Sequence, residues 1–137
     1  MSDTLFTPPI GFDLHLSPSP FVQSLGPIFK KVADNGMAVI AIRISEQHLN
    51  LHGITHGGFV ATLIDNAMGY NVAKALGSAI VTAHMAIDYL STAKLGDWVE
   101  AEVKINRCGR RMCFAECTLK NGDALMARAS CILAPKA

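Results

Sequence analysis

Hydrophobic and polar residues alternate in the second half of the chain, most regularly over residues 99–106, where odd positions are apolar and even positions polar. This period of two is typical of a strand that buries one of its faces. Three neighbouring segments have a similar composition and are bounded by glycine-containing turns. We therefore predict four strands, at residues 79–90, 98–106, 111–119 and 124–133.

The middle of the chain predicts a single long helix. Residues 58–75 contain no proline, and Gly77 follows them as a helix stop signal. A helix of about 18 residues is about 27 Å long, which is close to the length of the predicted strands. Upstream, the Asp-Asn-Gly sequence at residues 34–36 predicts a hairpin between strands at residues 27–32 and 37–45.

The first part of the chain divides into an arm and the start of a domain. Prolines with scattered Gly and Ser predict an extended arm at residues 1–19, and residues 20–137 are enough for one domain. Ser19 as N-cap and Pro20 at the first helical position predict a short helix at the domain's start. Together the elements predict an α+β fold, in which a curled antiparallel sheet of five to six strands wraps around one long central helix.

Composition adds an expectation about assembly and location. Half of the residues are hydrophobic and the mean hydropathy is +0.31, and the outer face of the predicted sheet needs cover, so we expect self-association. A net charge of +1 does not favour nucleic acid or an anionic membrane as a partner. The chain contains no long apolar run typical of a membrane span and does not begin with the pattern of a secretory signal, so we expect a cytoplasmic protein.

The cysteines do not predict a metal site. No C-x-x-C pair occurs in the sequence. We expect small, half-buried thiols rather than a disulfide or a zinc site at the four positions, Cys108, Cys113, Cys117 and Cys131.

Asp65 is an unusual residue for the predicted long helix. One turn away on either side lie Ala61 and Gly69, and Met68 lies on the same side. A solvent-facing carboxylate is the ordinary interpretation, but no polar face surrounds this one. Because an unpaired carboxylate among apolar residues costs stability, Asp65 is a candidate general base.

The predicted helix begins at His56, Gly57 and Gly58, where free backbone N–H groups and the positive end of the helix dipole suit an oxyanion. A simple glycine turn into the helix is the alternative interpretation. Gly57 and Asp65 lie about 12 Å apart along a helix, so Asp65 of the same chain cannot attack a carbonyl held at Gly57. Two copies with antiparallel helices would bring them together, which predicts a homodimer, or a dimer of dimers, with sites at the subunit interface.

The segments LNLHGITHGGFVATLIDNAMGY, AHMAIDYLSTAKLGD and RCGRR resemble the hotdog-fold acyl-CoA thioesterases of the phenylacetic-acid-degradation type, the PaaI-like family. The shared pattern is an Asn, then His-Gly-Gly, an Asp on the central helix, a strand with a Ser or Thr, and two turns. The resemblance covers about residues 20–134. It implies hydrolysis of an acyl or aryl-acyl thioester to a free acid and coenzyme A, which is part of the substrate, with no other cofactor.

The resemblance also implies roles for individual residues. Asp65 of the partner subunit would be the nucleophile or the general base that activates water, and the Gly57 N–H would polarise the thioester carbonyl. His56 and Asn50 would order their loop and form hydrogen bonds near the thioester. Thr82 would hold the attacking water beside Asp65.

Further residues are candidates for binding the substrate. Gly58 allows close approach at the helix start, and strict alternation would place His84 on the same strand face as Thr82. A basic glycine turn could hold the phosphates of coenzyme A through bidentate contacts, although an ordinary basic turn is the alternative. Its residues are Arg107, Gly109, Arg110 and Arg111.

The sequence also offers a possible metal site and two alternative functions. His48, His52 and His56 are four residues apart, but the glycines among them argue against a continuous helix, so we expect no metal. An acyl-thioester hydratase is possible on the same fold, but it generally requires an Asp/His pair acting on the substrate. A non-catalytic acyl-CoA-binding domain is the third hypothesis, and loss of the carboxylate at Asp65 would have favoured it.

Overall fold

The long central helix, α2, spans Gly57–Leu76 in the structure, a computed structural model that describes residues 7–136. His56 caps its first turn, and Gly77 ends it in the left-handed conformation at φ 69°. The predicted helix is therefore confirmed, with one more residue at each end. Within the described range, no helix is long and apolar enough to cross a membrane. The buried residues of α2 are Phe59, Val60, Leu63, Ile64, Ala67, Met68, Asn71 and Val72.

A seven-stranded antiparallel sheet forms the second layer, in the order β1-β2-β3-β5-β6-β7-β4. The strands are β1 (Asp13–His15), β2 (Ile28–Val32), β3 (Ala38–Arg43), β4 (Ile80–Tyr89), β5 (Trp98–Cys108), β6 (Cys113–Asn121) and β7 (Ala124–Pro135). A short helix, α1 (Pro20–Gln23), is capped by Ser19 as predicted, and a 3-10 turn covers Glu46–His48. The sheet has one strand more than predicted because part of the arm pairs with β2 as β1. Residues 1–6 of the predicted arm lie outside the described residues.

The core lies between α2 and the inner face of the sheet. The helix packs against β3, β4, β5, β6 and β7, so the sheet curls around it and the predicted α+β architecture is confirmed. Alternate residues of two strands fill the space below the helix, as their sequence period requires. They are Val99, Ala101 and Val103 of β5, and Cys113, Ala115, Cys117 and Leu119 of β6.

The outer face of the sheet is covered in part by the chain itself. One apolar part of it is covered by the N-terminal segment, where the Phe12 ring packs 5.2 Å from that of Trp98 and beside Phe29. The remainder of this face carries polar side chains, such as Glu102 and Arg128, together with Phe114, which is 40% exposed. Self-association through this face stays a prediction, and another surface of the chain also suits it.

Strand β4 is that surface. It lies at the edge of the sheet, where β7 is its neighbour among the described strands. Large apolar side chains on or beside it are exposed, with Val81 at 48%, Tyr89 at 55% and Leu90 at 52%. A ten-residue edge of this kind has unpaired backbone groups and is suited to pairing with another strand.

Candidate active site

Asp65 is paired with a hydroxyl group rather than isolated. In the third turn of α2, its Oδ1 accepts a 2.6 Å hydrogen bond from Oγ1 of Thr82, on β4. Asp65 is half-buried and Thr82 is exposed, so the pair opens to the surface. The carboxylate also faces the buried thiol of Cys131, whose pKa is raised to about 11 by burial and then by the negative charge of Asp65.

A β-bulge decides which residues of β4 face the helix. Thr82 pairs with Leu133, but His84 pairs with Ile132, so Ala83 is the extra residue. Because Leu133 is fully buried, its cross-strand partner Thr82 also faces the helix. His84 is exposed and points to the outer face, so the expectation that it shares a face with Thr82 is wrong. Its role in binding the substrate stays a prediction.

The start of α2 has a well-defined hydrogen-bond arrangement. Nδ1 of His56 accepts a 2.8 Å hydrogen bond from the Gly58 N–H, so the neutral ring carries its proton on Nε2. The His56 N–H donates to the carbonyl of His48 at 2.8 Å. Gly57 is the first helical residue, and its N–H has no acceptor within the described chain. A donor at the positive end of a helix is thus available for an oxyanion.

The loop before α2 is held by Asn50 and His48. Oδ1 of Asn50 accepts from the N–H groups of His52 at 2.8 Å and Ile54 at 3.4 Å, so this side chain contributes to the order of the loop. Its predicted hydrogen bond near a thioester is untested. Gly53 permits this turn by adopting a φ of 75°.

His48 has a structural role. It is 1% exposed, and its ring stacks on Phe59 with the centroids 4.2 Å apart. Its Nδ1 accepts from the Ser45 N–H at 3.0 Å, and its Nε2 donates to the Leu25 carbonyl at 2.7 Å. Burial lowers the pKa of His48, and the Leu25 carbonyl opposes this only in part. His48 lies in the 3-10 turn, whereas His56 is the N-cap of α2. The two side chains therefore do not line up along one helix.

Tyr89 is a residue of this region to which the sequence pattern assigned no role. Its hydroxyl donates a 2.9 Å hydrogen bond to the carbonyl of Gly57, and its ring lies 3.6 Å from where a Cβ of Gly57 would be. Strict alternation would place residues 82 and 89 on opposite faces of β4, but the bulge places both on the helix side. No local signal in the sequence locates that bulge.

The carboxylate of Asp65 and the free N–H of Gly57 lie near opposite ends of β4. Asp65 meets Thr82 near the beginning of the strand, and Gly57 meets Tyr89 at its end. Eight helical residues separate Gly57 from Asp65, about 12 Å along the axis. One chain therefore does not bring the carboxylate to the free N–H.

The candidate phosphate-binding turn carries Arg107, Arg110 and Arg111, which are all exposed at the β5–β6 hairpin. A disulfide joins Cys108 to Cys113 across the base of this hairpin. The expectation of free thiols is wrong for these two residues, because the pairing of β5 with β6 places them directly opposite each other. It holds for the other two cysteines, Cys117 and Cys131, which are buried thiols.

Comparison with known proteins decides the family. The sequence profile described as Thioesterase superfamily matches residues 52–127, which include α2, β4, β5 and β6. The chain belongs to this thioesterase superfamily. The matched range contains most of the candidate site, from His56 to Arg111.

Relatives and a solved structure support this assignment. PA0474 of Pseudomonas aeruginosa, a protein named as an esterase, is 36% identical over 89% of this chain and 92% of its own length. Human acyl-coenzyme A thioesterase 13 is 31% identical over 74% of this chain and 73% of its own. The structure of Escherichia coli PaaI, from the phenylacetic acid degradation operon, superposes with a TM-score of 0.79 at 25% identity, covering 88% of this chain and 86% of that one. The chain therefore has the hotdog fold of the superfamily, as the sequence resemblance implied.

Proposed function

We propose that the protein is an acyl-CoA thioesterase that hydrolyses an acyl or aryl-acyl thioester to the free acid and coenzyme A. The observation that carries this proposal is the Asp65–Thr82 pair, which opens to the surface on the same helix that begins with the free Gly57 N–H. A carboxylate beside a hydroxyl suits the activation of water, and a free N–H at a helix start suits a developing oxyanion. The names of the human and E. coli relatives support the same substrate class.

The complete site forms between two copies of the chain. If the β4 edges of two copies pair antiparallel, the Tyr89 end of one strand lies beside the Thr82 end of the other. Gly57 of one copy then approaches Asp65 of its partner, because Gly57 contacts Tyr89 and Asp65 contacts Thr82. The exposed apolar side chains of β4 support this pairing.

The side of α2 that faces β4 also suits the approach of a partner helix across the β4 edge. Residues at a spacing of four along α2 are small apart from Asp65, so two helices can approach closely on this side. In addition, Nδ2 of Asn66 is enclosed and has no acceptor in the described chain. A neighbouring copy could supply that acceptor. The small residues are Gly57, Ala61, Gly69 and Ala73.

In this mechanism the Gly57 N–H donates to the thioester carbonyl oxygen and stabilises the negative charge that forms there. The Thr82 hydroxyl hydrogen is used by Oδ1 of Asp65, so the Thr82 oxygen can accept from a water that also donates to the carboxylate. Asp65 takes a proton from that water as the water attacks, or it attacks the carbonyl itself. The tetrahedral intermediate then expels the coenzyme A thiolate, which takes up the proton that the water gave to Asp65. In the direct route the thiolate takes a proton from solvent, and a water molecule then hydrolyses the acyl–Asp65 anhydride to the free acid and the carboxylate. No metal or further cofactor enters these steps.

The arginine turn is proposed to hold the coenzyme A phosphates through Arg107, Arg110 and Arg111, with Gly109 allowing the turn. If so, Arg110→Ala should raise the KM for an acyl-CoA and leave unchanged the KM for the matching acyl-pantetheine, which lacks the nucleotide. Equal KM changes for both substrates would contradict this role. Gly58 and His84 stay candidates for substrate contact.

The test of the function is thiol release from a panel of acyl-CoAs, with aryl-acetyl, benzoyl, short, medium and long acyl groups. Wild type is compared with Asp65→Asn, which keeps the size of the side chain and removes its charge. We expect turnover by wild type and its loss in the variant, with fold and assembly unchanged. Binding without turnover on any substrate would favour a binding domain, and hydration of an unsaturated acyl-CoA would favour a hydratase. The protein's own thiols are subtracted from the readout.

A further inference from the structure

The first peptide units of α2 are held both by the helix itself and by side chains outside its hydrogen-bond ladder. Gly57 and Gly58 have no side chains, so their backbone torsions are less restricted than those of other residues. The His56–Gly57 peptide, which carries the Gly57 N–H, is fixed within the helix because its carbonyl accepts from the Val60 N–H at 3.0 Å. The carbonyl of the next peptide, Gly57–Gly58, also lies within the helix ladder because α2 begins at Gly57, and side chains contact this peptide in addition.

Two side chains hold the Gly57–Gly58 peptide from opposite ends. Its carbonyl accepts a 2.9 Å hydrogen bond from the Tyr89 hydroxyl, and its N–H donates a 2.8 Å hydrogen bond to Nδ1 of His56. Rotation of this peptide would break both bonds. A hydrogen bond at the carbonyl also polarises the peptide and strengthens its N–H as a donor, so the two bonds reinforce each other.

The Tyr89 ring adds a steric restraint to the hydrogen bond. It lies in ordinary van der Waals contact with the space beside the Gly57 Cα, at 3.6 Å from an added Cβ. Tyr89 reaches this position from β4, so a contact with the strand fixes the position of the start of α2. The same strand contacts Asp65 through Thr82.

We propose that Tyr89 is a positioning residue, which anchors Gly57 at the start of α2 to β4 so that the Gly57 N–H is aimed at the substrate carbonyl. Through the Gly58 N–H it also holds the His56 ring with Nε2–H directed away from the helix. This inference rests on the proposed function, in which the Gly57 N–H stabilises the oxyanion. Tyr89 itself acts through Gly57 and need not touch the substrate.

The test compares Tyr89→Phe with Tyr70→Phe, since the sequence contains two tyrosines. Each variant removes one hydroxyl and keeps its ring, and the Tyr70 hydroxyl bonds to Nζ of Lys30 instead, at 3.0 Å. For Tyr89→Phe we expect kcat to fall about tenfold with KM changed less than about twofold, the effect of one lost hydrogen bond. Tyr70→Phe should leave kcat unchanged. An unchanged kcat for Tyr89→Phe, or an equal fall in both variants, would overturn the proposal.

A second measurement does not depend on turnover. In ¹⁵N-labelled protein, Tyr89→Phe should shift the amide resonances of Gly57 and Gly58 and leave in place that of Gly36, in the β2–β3 turn, which lies far from β4 in the strand order. Unchanged Gly57 and Gly58 amides would overturn the positioning role, as would loss of assembly in the variant. Failure of the proposed function would look different: wild type would not turn over any thioester, or Asp65→Asn would stay active.

Discussion

Thr82 donates a 2.6 Å hydrogen bond to Asp65, and the bulge at Ala83 places Thr82 on the same side of β4 as Tyr89. The strand consequently contacts α2 twice, once at the candidate base and once at the helix start through Gly57. A regular strand could make only one of these contacts, because residues 82 and 89 differ in parity. The bulge thus links both halves of the proposed site to one element.

Replacement of the Thr82 hydroxyl tests its bond to the carboxylate. Thr82→Val keeps the shape and removes the hydroxyl, so we expect kcat to fall about 10- to 100-fold, the range for a hydrogen bond to a charged group. Thr82→Ser keeps the hydroxyl and should stay within about threefold of wild type. Steady-state kinetics on the best acyl-CoA measures both. Equal activity of the Val and Ser variants would contradict a role for the hydroxyl.

Gly57→Pro tests the backbone N–H at the helix start. Proline is tolerated at the first helical position, and His56 before it already has an extended backbone at φ −68° and ψ 135°. The substitution removes the donor without breaking the helix, so we expect kcat to fall about 100- to 1,000-fold. Gly57→Ala keeps the N–H, and its Cβ meets Tyr89 at an ordinary 3.6 Å, so its loss should be smaller. If both variants have the same kcat, the N–H is not the oxyanion donor.

Mixing two inactive variants tests whether the site is shared between copies. Asp65→Asn and Gly57→Pro damage different halves, so a mixed dimer has one intact site and one doubly damaged site. After joint dissociation and reassembly, an equal mixture should recover about a quarter of wild-type activity, since half of the dimers are mixed. Each variant reassembled alone is the control. No recovery, with mixed dimers demonstrated by mass spectrometry, would place the complete site within one chain.

Acid should destabilise the fold through His48. Its folded-state pKa is lowered from an ordinary value of 6.5, so the neutral ring is favoured in the native protein. Its stabilising contribution is therefore present above pH 6.5 and is lost as the pH falls towards and below the lowered value. Between about pH 5 and 8, the free energy of unfolding measured with denaturant should rise with pH in wild type and should rise less steeply in His48→Gln.

The exposed His52 offers the matched control for this measurement. His52→Gln should keep the wild-type slope. Because burial and the charge of Lys30 also lower the pKa of His15, some slope should persist in His48→Gln. An unchanged slope in His48→Gln would show that the buried ring does not titrate on unfolding.

The disulfide should stabilise the arginine hairpin. Replacing Cys108 and Cys113 by serine removes a cross-link that closes a short loop, so we expect the free energy of unfolding to fall by about 2 kcal/mol. Wild type in excess dithiothreitol should match the variant, since reduction removes the same bond. Denaturant unfolding under oxidising and reducing conditions makes the comparison. A variant as stable as oxidised wild type would show that the bond does not constrain the unfolded chain.

Local signals in the sequence were sufficient for the elements and for part of the site. A proline-free stretch ending at Gly77 predicted α2, and the alternation in residues 99–106 predicted β5, because helix breaking and face burial act over a few residues. Asp65 was identified because its helical neighbours are apolar, and the spacing to Gly57 already required a second copy if both act on one carbonyl.

Contacts between distant segments decided the remainder. The bulge at Ala83 depends on how β4 pairs with β7, and the Cys108–Cys113 bond depends on how β5 pairs with β6. Likewise the contact of Tyr89 with Gly57 joins residues 32 positions apart. Strand register is set by packing across the whole sheet, so a pattern read along one segment predicts a strand but not which residue lies opposite which. The sequence by itself determined the helix, the strands and the candidate carboxylate, whereas only the tertiary structure decided which side chains meet them.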